Sequence, residues 1–201
     1  MPRVADETRQ RRRRNLIDAA WRCLARKGYE NLTVDDVCAE AEVSKGTFYG
    51  YFNSKQHMLL SLLEEDDASL EAFMDELGQT PLGSAERLGR FARAVLDRAE
   101  DPALVQLRAD LWTELATDDA VETRLVDSVH RRRAILRGWI EEGMSGGELV
   151  EVPANALASI LLALMDGLML HRQLDPAGFK WPNVRAALNL LLSSLVAPTA
   201  G

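Results

Sequence analysis

The chain has 201 residues, 47% of them hydrophobic, and 24 Lys+Arg against 31 Asp+Glu give a formal net charge of −7. That length can bury a real core, and with a polar, arginine-rich start no secretory leader is expected. The longest apolar run, 156–165, is interrupted by Ser159 and is too short for a membrane span, so a soluble, cytoplasmic protein is expected.

In chain order, the first predicted helix is RQRRRRNLIDAAWRCLARKG, residues 9–28. Its Arg9 and the arginine run 11–14 put positive charge where an arm could reach phosphates or a minor groove. Thr33 then caps a second helix, with Asp35 and Asp36 near the positive end of its dipole. Val34, Val37, Cys38 and Ala41 share one face of that helix. Glu42 and Val43 form a turn, and Ser44 caps a third helix. Phe48 and Phe52 point back into the core. That leaves Ser44, Lys45, Gly46, Thr47, Tyr49 and Tyr51 facing outward, where the N-terminal residues of a second helix meet base edges. Lys55 stands in the first turn of the next helix, against its dipole, which suggests another job such as gripping a phosphate.

Charge is divided in the same sense. Residues 1–57 hold 11 Lys+Arg and 8 Asp+Glu, and residues 58–201 hold 13 and 23. The acidic bulk would repel DNA and confines binding to the N-terminal module. Cys23 and Cys38 both lie on apolar faces of this module and read as small buried hydrophobes. No cysteine or histidine spacing suggests a metal.

Residues 9–60 resemble the DNA-binding domain of the TetR family of bacterial transcriptional regulators. The resemblance is carried by Ala19-Ala20, Gly28-Tyr29, Thr33-Val34-Asp35-Asp36-Val37, Val43-Ser44-Lys45-Gly46-Thr47-Phe48-Tyr49, Tyr51-Phe52 and Ser54-Lys55. It implies Thr33, Tyr49 and Lys55 as phosphate contacts, and Ser44, Lys45, Gly46, Thr47 and Tyr51 as the base-reading surface. Two positions depart from the pattern. Glu42 replaces the usual turn glycine, which costs about 1 kcal/mol if its φ is positive. Gly50 replaces a larger side chain and is expected to loosen the recognition helix by roughly 0.5–1 kcal/mol.

The remainder reads as helices throughout: 54–77, 84–100, 102 to about 116, 118–143, 153–174 and 183–196. No segment alternates as a strand would. The expected fold is all-α, with a three-helix helix-turn-helix head at 1–57 and a helical regulatory domain at 58–201 that binds a ligand and dimerises. The last two helices are apolar on more than one face. A helix apolar all round must be buried all round, so a two-fold homodimer is expected through Leu161, Leu164, Leu168, Leu188, Leu192 and Leu195. Arg108, Trp112, Trp139 and Asp166 are the pocket candidates, being polar or aromatic groups among apolar walls.

No catalytic residue is assigned. There is no phosphate loop and no metal set, and the three histidines lie on separate helices. The expected partners are a double-stranded, inverted-repeat operator, a second copy of the chain and a small-molecule inducer, with no cofactor and no membrane. The resemblance implies a repressor released by its ligand. An activator of the same fold and a helical adaptor that binds no DNA are the alternatives.

Overall fold

The computed structural model describes the backbone of residues 2–115, 119–175 and 177–198, and the side chains of 7–110, 123–175 and 177–198. Among the described residues there are nine α-helices and no strand: α1 Pro2–Asn31, α2 Val34–Glu40, α3 Lys45–Tyr49, α4 Lys55–Gly78, α5 Ser84–Glu100, α6 Pro102–Leu115, α7 Asp119–Ser145, α8 Ala154–Leu174 and α9 Trp181–Ser193. A single antiparallel bridge joins Leu149 to Val196. The all-α expectation therefore holds. The end expected for α6 at Ala116 and the start expected for α7 at Asp118 lie outside the described residues.

The chain divides into two units, Met1–Asp66 with Pro102–Trp112, and Asp67–Asp101 with Thr113–Gly201. In the first, α1 buries Leu16, Ile17, Ala20 and Leu24, one face of a 3.6-residue period. Gly28, at φ 75 and ψ 170, breaks the helix in a conformation that glycine adopts without a Cβ penalty. Beyond the break the Tyr29 carbonyl accepts from the Leu32 amide only at a long 3.4 Å. Lys55 Nζ donates to it at 3.0 Å and lies 5.0 Å from the centroid of the Tyr29 ring.

Thr33 opens α2 with a capping box, its hydroxyl accepting from the Asp36 amide while the Asp36 carboxylate accepts from the Thr33 amide. Lys27 Nζ and Asp36 lie 2.6 Å apart, and Arg22 and Arg26 both reach Glu40 at 2.6 Å. The Lys27 ammonium, helped by the Thr33 hydroxyl, holds the Asp36 carboxyl down to about 2. Each exposed pair contributes little alone. Together they fasten α2 along the C-terminal half of α1. Asn15 Nδ2 adds a bond to the Ala41 carbonyl at 3.0 Å. Arg13 turns inward, pairs with Glu65 and stands 5.6 Å over the Phe52 ring.

The second unit is built around α5, which buries Leu88, Phe91, Val95 and Leu96 and packs on α7, α8 and α9. Its N-cap is Gly83, which has no side chain to satisfy the first amides. Glu148, from the loop after α7, does so instead. Its carboxylate accepts from Ser84 N at 2.6 Å and Ala85 N at 2.9 Å, at the positive end of the helix dipole. A Cβ at Gly83 would stand 2.5 Å from that carboxylate, so the glycine makes the approach possible. The same loop binds the segment after α9, through Val150 N to Leu195 O at 2.9 Å and Ala197 N to Glu148 O at 2.8 Å. Arg185 on α9 reaches back to Asp97 and Glu100 at the end of α5, both at 2.7 Å.

The outer faces of α8 and α9 are not covered within the chain. Ile160, Leu164, Leu170 and Leu174 on α8 are exposed, the last at 70%, as are Leu190 and Leu191 on α9 at 73% and 61%. The ten-residue run counted in the sequence understates α8. Its 21 residues are long and apolar enough, by composition alone, to cross a membrane. Two other boundaries differ from expectation. α9 starts at Trp181 because Pro182 is compatible with a helix's first turn, where its missing N–H costs nothing. α3 ends at Tyr49, so Gly50 is its C-cap at an ordinary φ of −71 and does not loosen the helix interior.

Candidate nucleic-acid interface

The interface is built from α2, the following turn and α3. Ser44 caps α3 through its side chain, which accepts from Thr47 N at 3.1 Å and lies 3.0 Å from the Thr47 hydroxyl. Phe48 is fully buried, with Phe52 at 5.5 Å and Tyr49 edge-on at 5.3 Å between centroids. Because Phe48 anchors the inner side, its neighbours are forced out. Tyr49 is 54% exposed, Ser44, Lys45 and Gly46 are exposed, and Thr47 and Tyr51 are half-buried. Tyr51 lies beyond the end of α3.

Lys45 pairs with Asp35 at 2.8 Å, both side chains being well exposed, so the ammonium is held but can exchange its partner at little cost. Thr33 is exposed at the N-terminus of α2. Lys55 is half-buried, and its bond to the Tyr29 carbonyl gives it a structural task that the sequence did not reveal. The signal for that task was Gly28, whose break in α1 leaves the Tyr29 carbonyl only a long backbone bond from Leu32 N, at 3.4 Å.

Glu42 has φ 54, the only positive φ at a non-glycine among the described residues. The condition attached to this position is met. Glu42→Gly should raise stability by up to about 1 kcal/mol, a midpoint shift of roughly 2–4 °C in a chain of this size. It should also tighten DNA binding by removing a negative charge. A thermal melt with an unchanged or lower midpoint would show that the turn holds no strain.

Burial pushes both thiols, Cys23 and Cys38, above the ordinary cysteine pKa, so neither is a ready thiolate at neutral pH. Among the described residues no group of histidine, cysteine and carboxylate side chains could hold a metal.

The other expected residues are dispersed. Arg108, in the first unit, is paired with Asp66 at 2.9 Å. Trp139 is buried in the second unit, and Asp166 is exposed on α8. The side chain of Trp112 lies outside the described residues. Of the interface candidates, Leu161 and Leu188 are buried inside the chain itself. Leu164 is exposed, and Leu168, Leu192 and Leu195 are intermediate. Ile160, Leu170, Leu174, Leu190 and Leu191 form the more exposed set and are not among those candidates, because hydrophobicity alone does not give the phase of a helix apolar all round.

A capped, two-helix unit that presents small polar groups at one helix N-terminus and an exposed tyrosine one turn on is the head of a helix-turn-helix DNA-binding regulator. The comparisons agree with that class. The family model described as bacterial regulatory proteins, tetR family, matches residues 16–62, and that described as BetI-type transcriptional repressor, C-terminal, matches residues 84–197. The chain belongs to the TetR family. It is 26% identical over 170 residues to the HTH-type transcriptional repressor AcnR of Corynebacterium diphtheriae, covering 83% of this chain and 84% of that one. It is 30% identical over 138 residues to the repressor KstR of Mycobacterium tuberculosis, covering 64% and 61%. A Saccharomonospora viridis transcriptional regulator crystallised with choline superposes with a TM-score of 0.75 at 25% identity, covering 92% of this chain and 98% of that one.

Proposed function

We propose that the chain is a homodimeric repressor that reads an inverted-repeat operator and is released by a small molecule. The DNA-reading part rests most on one observation. Phe48 locks α3 so that Ser44, Lys45 and Gly46 stand exposed at its N-terminus, the end that enters a major groove in this motif, and Tyr49 stands exposed one turn further on. In this reading Thr33, Tyr49 and Lys55 hold phosphates, while Ser44, Lys45, Gly46, Thr47 and Tyr51 read base edges. The matches to repressors support the sign of regulation.

Dimerisation is supported by the uncovered leucines and isoleucine of α8 and α9. An apolar patch of this kind is uncommon on a monomer and marks an interface. Ala163 and Gly167 stand on the same face of α8 and allow a close helix approach. Two heads on one two-fold axis then read two half-sites, and joining them multiplies affinity without a new contact. Ligand release is supported by the choline-bound structure at 25% identity, which makes choline the first effector to try.

The test is an unbiased selection of duplex DNA by the purified protein at physiological salt. Enrichment of an inverted repeat is expected. Tyr49→Ala should abolish that enrichment while leaving the circular dichroism spectrum unchanged. A folded dimer that enriches no sequence, with or without choline, would reject the operator reading.

A further inference from the structure

α2 carries three carboxylates, Asp35, Asp36 and Glu40. Two of them turn back to α1. Asp36 closes the capping box with Thr33 and meets Lys27 at 2.6 Å, and Glu40 takes Arg22 and Arg26. Asp35 turns the other way. Its carboxylate lies 2.8 Å from Lys45 Nζ, in the first turn of α3, with the two side chains 67% and 61% exposed. Lys45 is also the one charged side chain in the expected base-reading set of Ser44, Lys45, Gly46, Thr47 and Tyr51.

An exposed pair of this kind adds little to stability. What it does is fix a pose. A lysine stem is flexible, and an ammonium with no partner settles on whichever phosphate is nearest. Asp35 confines the Lys45 ammonium to the start of α3, and its hydrogen bond raises the Lys45 pKa above the ordinary lysine value, so the group stays charged. An ammonium has three donors. With one on Asp35, the others remain for the O6 and N7 acceptors of a guanine. A phosphate that took the ammonium instead would strand the carboxylate beside a polyanion.

We propose that Asp35 is a positioning residue that sets specificity: it holds Lys45 for a guanine edge in the major groove and makes exchange onto phosphates unfavourable. This rests on the operator reading above. Within it, an acid on α2 has the task of suppressing sequence-independent binding, which the phosphate contacts of a DNA reader otherwise promote.

The test is a double-mutant cycle of D35N and K45A, read on the selected operator and on a random duplex across a range of salt. D35N should tighten random-duplex binding about fivefold per head and steepen its log–log salt slope by about 1 unit per head, as Lys45 moves to a phosphate. The ratio of operator to random affinity should fall on the order of tenfold. A selection repeated with D35N should lose a guanine that the wild type prefers. In the K45A background D35N should leave the ratio unchanged, because no ammonium remains to be placed. Loss of an acid from the first turn of α2 lowers the thermal midpoint slightly in both backgrounds, and the cycle cancels it. Equal tightening on both duplexes, with and without Lys45, would overturn the proposal, reduce Asp35 to a repelling charge and leave the operator reading intact. A D35N selection that keeps every base preference would overturn it as well. A wild-type protein that binds operator and random duplex alike would remove the operator reading, and this proposal with it.

Discussion

A Leu190→Asp, Leu191→Asp variant should sediment as a folded monomer and lose operator affinity by roughly two to four orders of magnitude, the factor that linking two binding modules supplies. Both side chains are already more than half exposed in the chain, so the substitution disturbs no internal packing. Two aspartates in a dry helix interface would be buried without partners, a cost well above the about 1.5–3 kcal/mol that each buried leucine contributes. Sedimentation velocity and a binding titration check both halves of this expectation. A variant that stays dimeric would move the interface off α9. A monomer with wild-type affinity would mean that one head suffices on DNA.

Phe48→Ala has the largest expected effect inside the head. Its ring is fully buried, and truncation of such a residue costs about 3–5 kcal/mol. The loss falls on α3, where Phe48 holds Phe52 and sets the outward pose of Tyr49. DNA binding should vanish while the second unit, which contains none of these residues, keeps its helices and its dimer. Circular dichroism melting should then resolve an early transition from the head and a later one from the rest. A single melt at the wild-type midpoint would show that Phe48 does not carry this core.

Much of the head was legible in the sequence because its signals are local. Thr33 and Ser44 announce helix starts through their hydroxyls, and Phe48 and Phe52 announce the inner face through a spacing of four. The illegible part depends on groups far apart in the chain. Lys55 bonds a carbonyl 26 residues away, and Glu148 caps a helix that begins 64 residues earlier. No window of sequence contains both partners. The orientation of α8 was illegible for a different reason. Its apolar residues surround the helix, so composition says that it is buried but not which side faces the chain. The structure supplies the phase: Ala158, Leu161, Leu162 and Met165 point in, and Ile160, Leu164 and Leu170 point out. The pocket candidates lacked even this much support, since tryptophans and charged groups at helical spacing fit a plain core equally well.

The knot of bonds around Glu148 also orders events in time. α1, α2 and α3 lie within the first 49 residues, and at about 5–20 residues per second the ribosome needs roughly 7–30 s more to make the rest of the protein. The α5 cap waits for residue 148, and Ala197 must exist before it can bond the Glu148 carbonyl. Each nascent chain thus passes through an interval in which α1, α2 and α3 are made while α8 and α9 are unfinished. If two heads are needed to hold an operator, such a chain can offer only one. In the dimeric-repressor reading, newly made protein therefore stays quiet on DNA until synthesis finishes, so translation sets a first switch ahead of the proposed ligand.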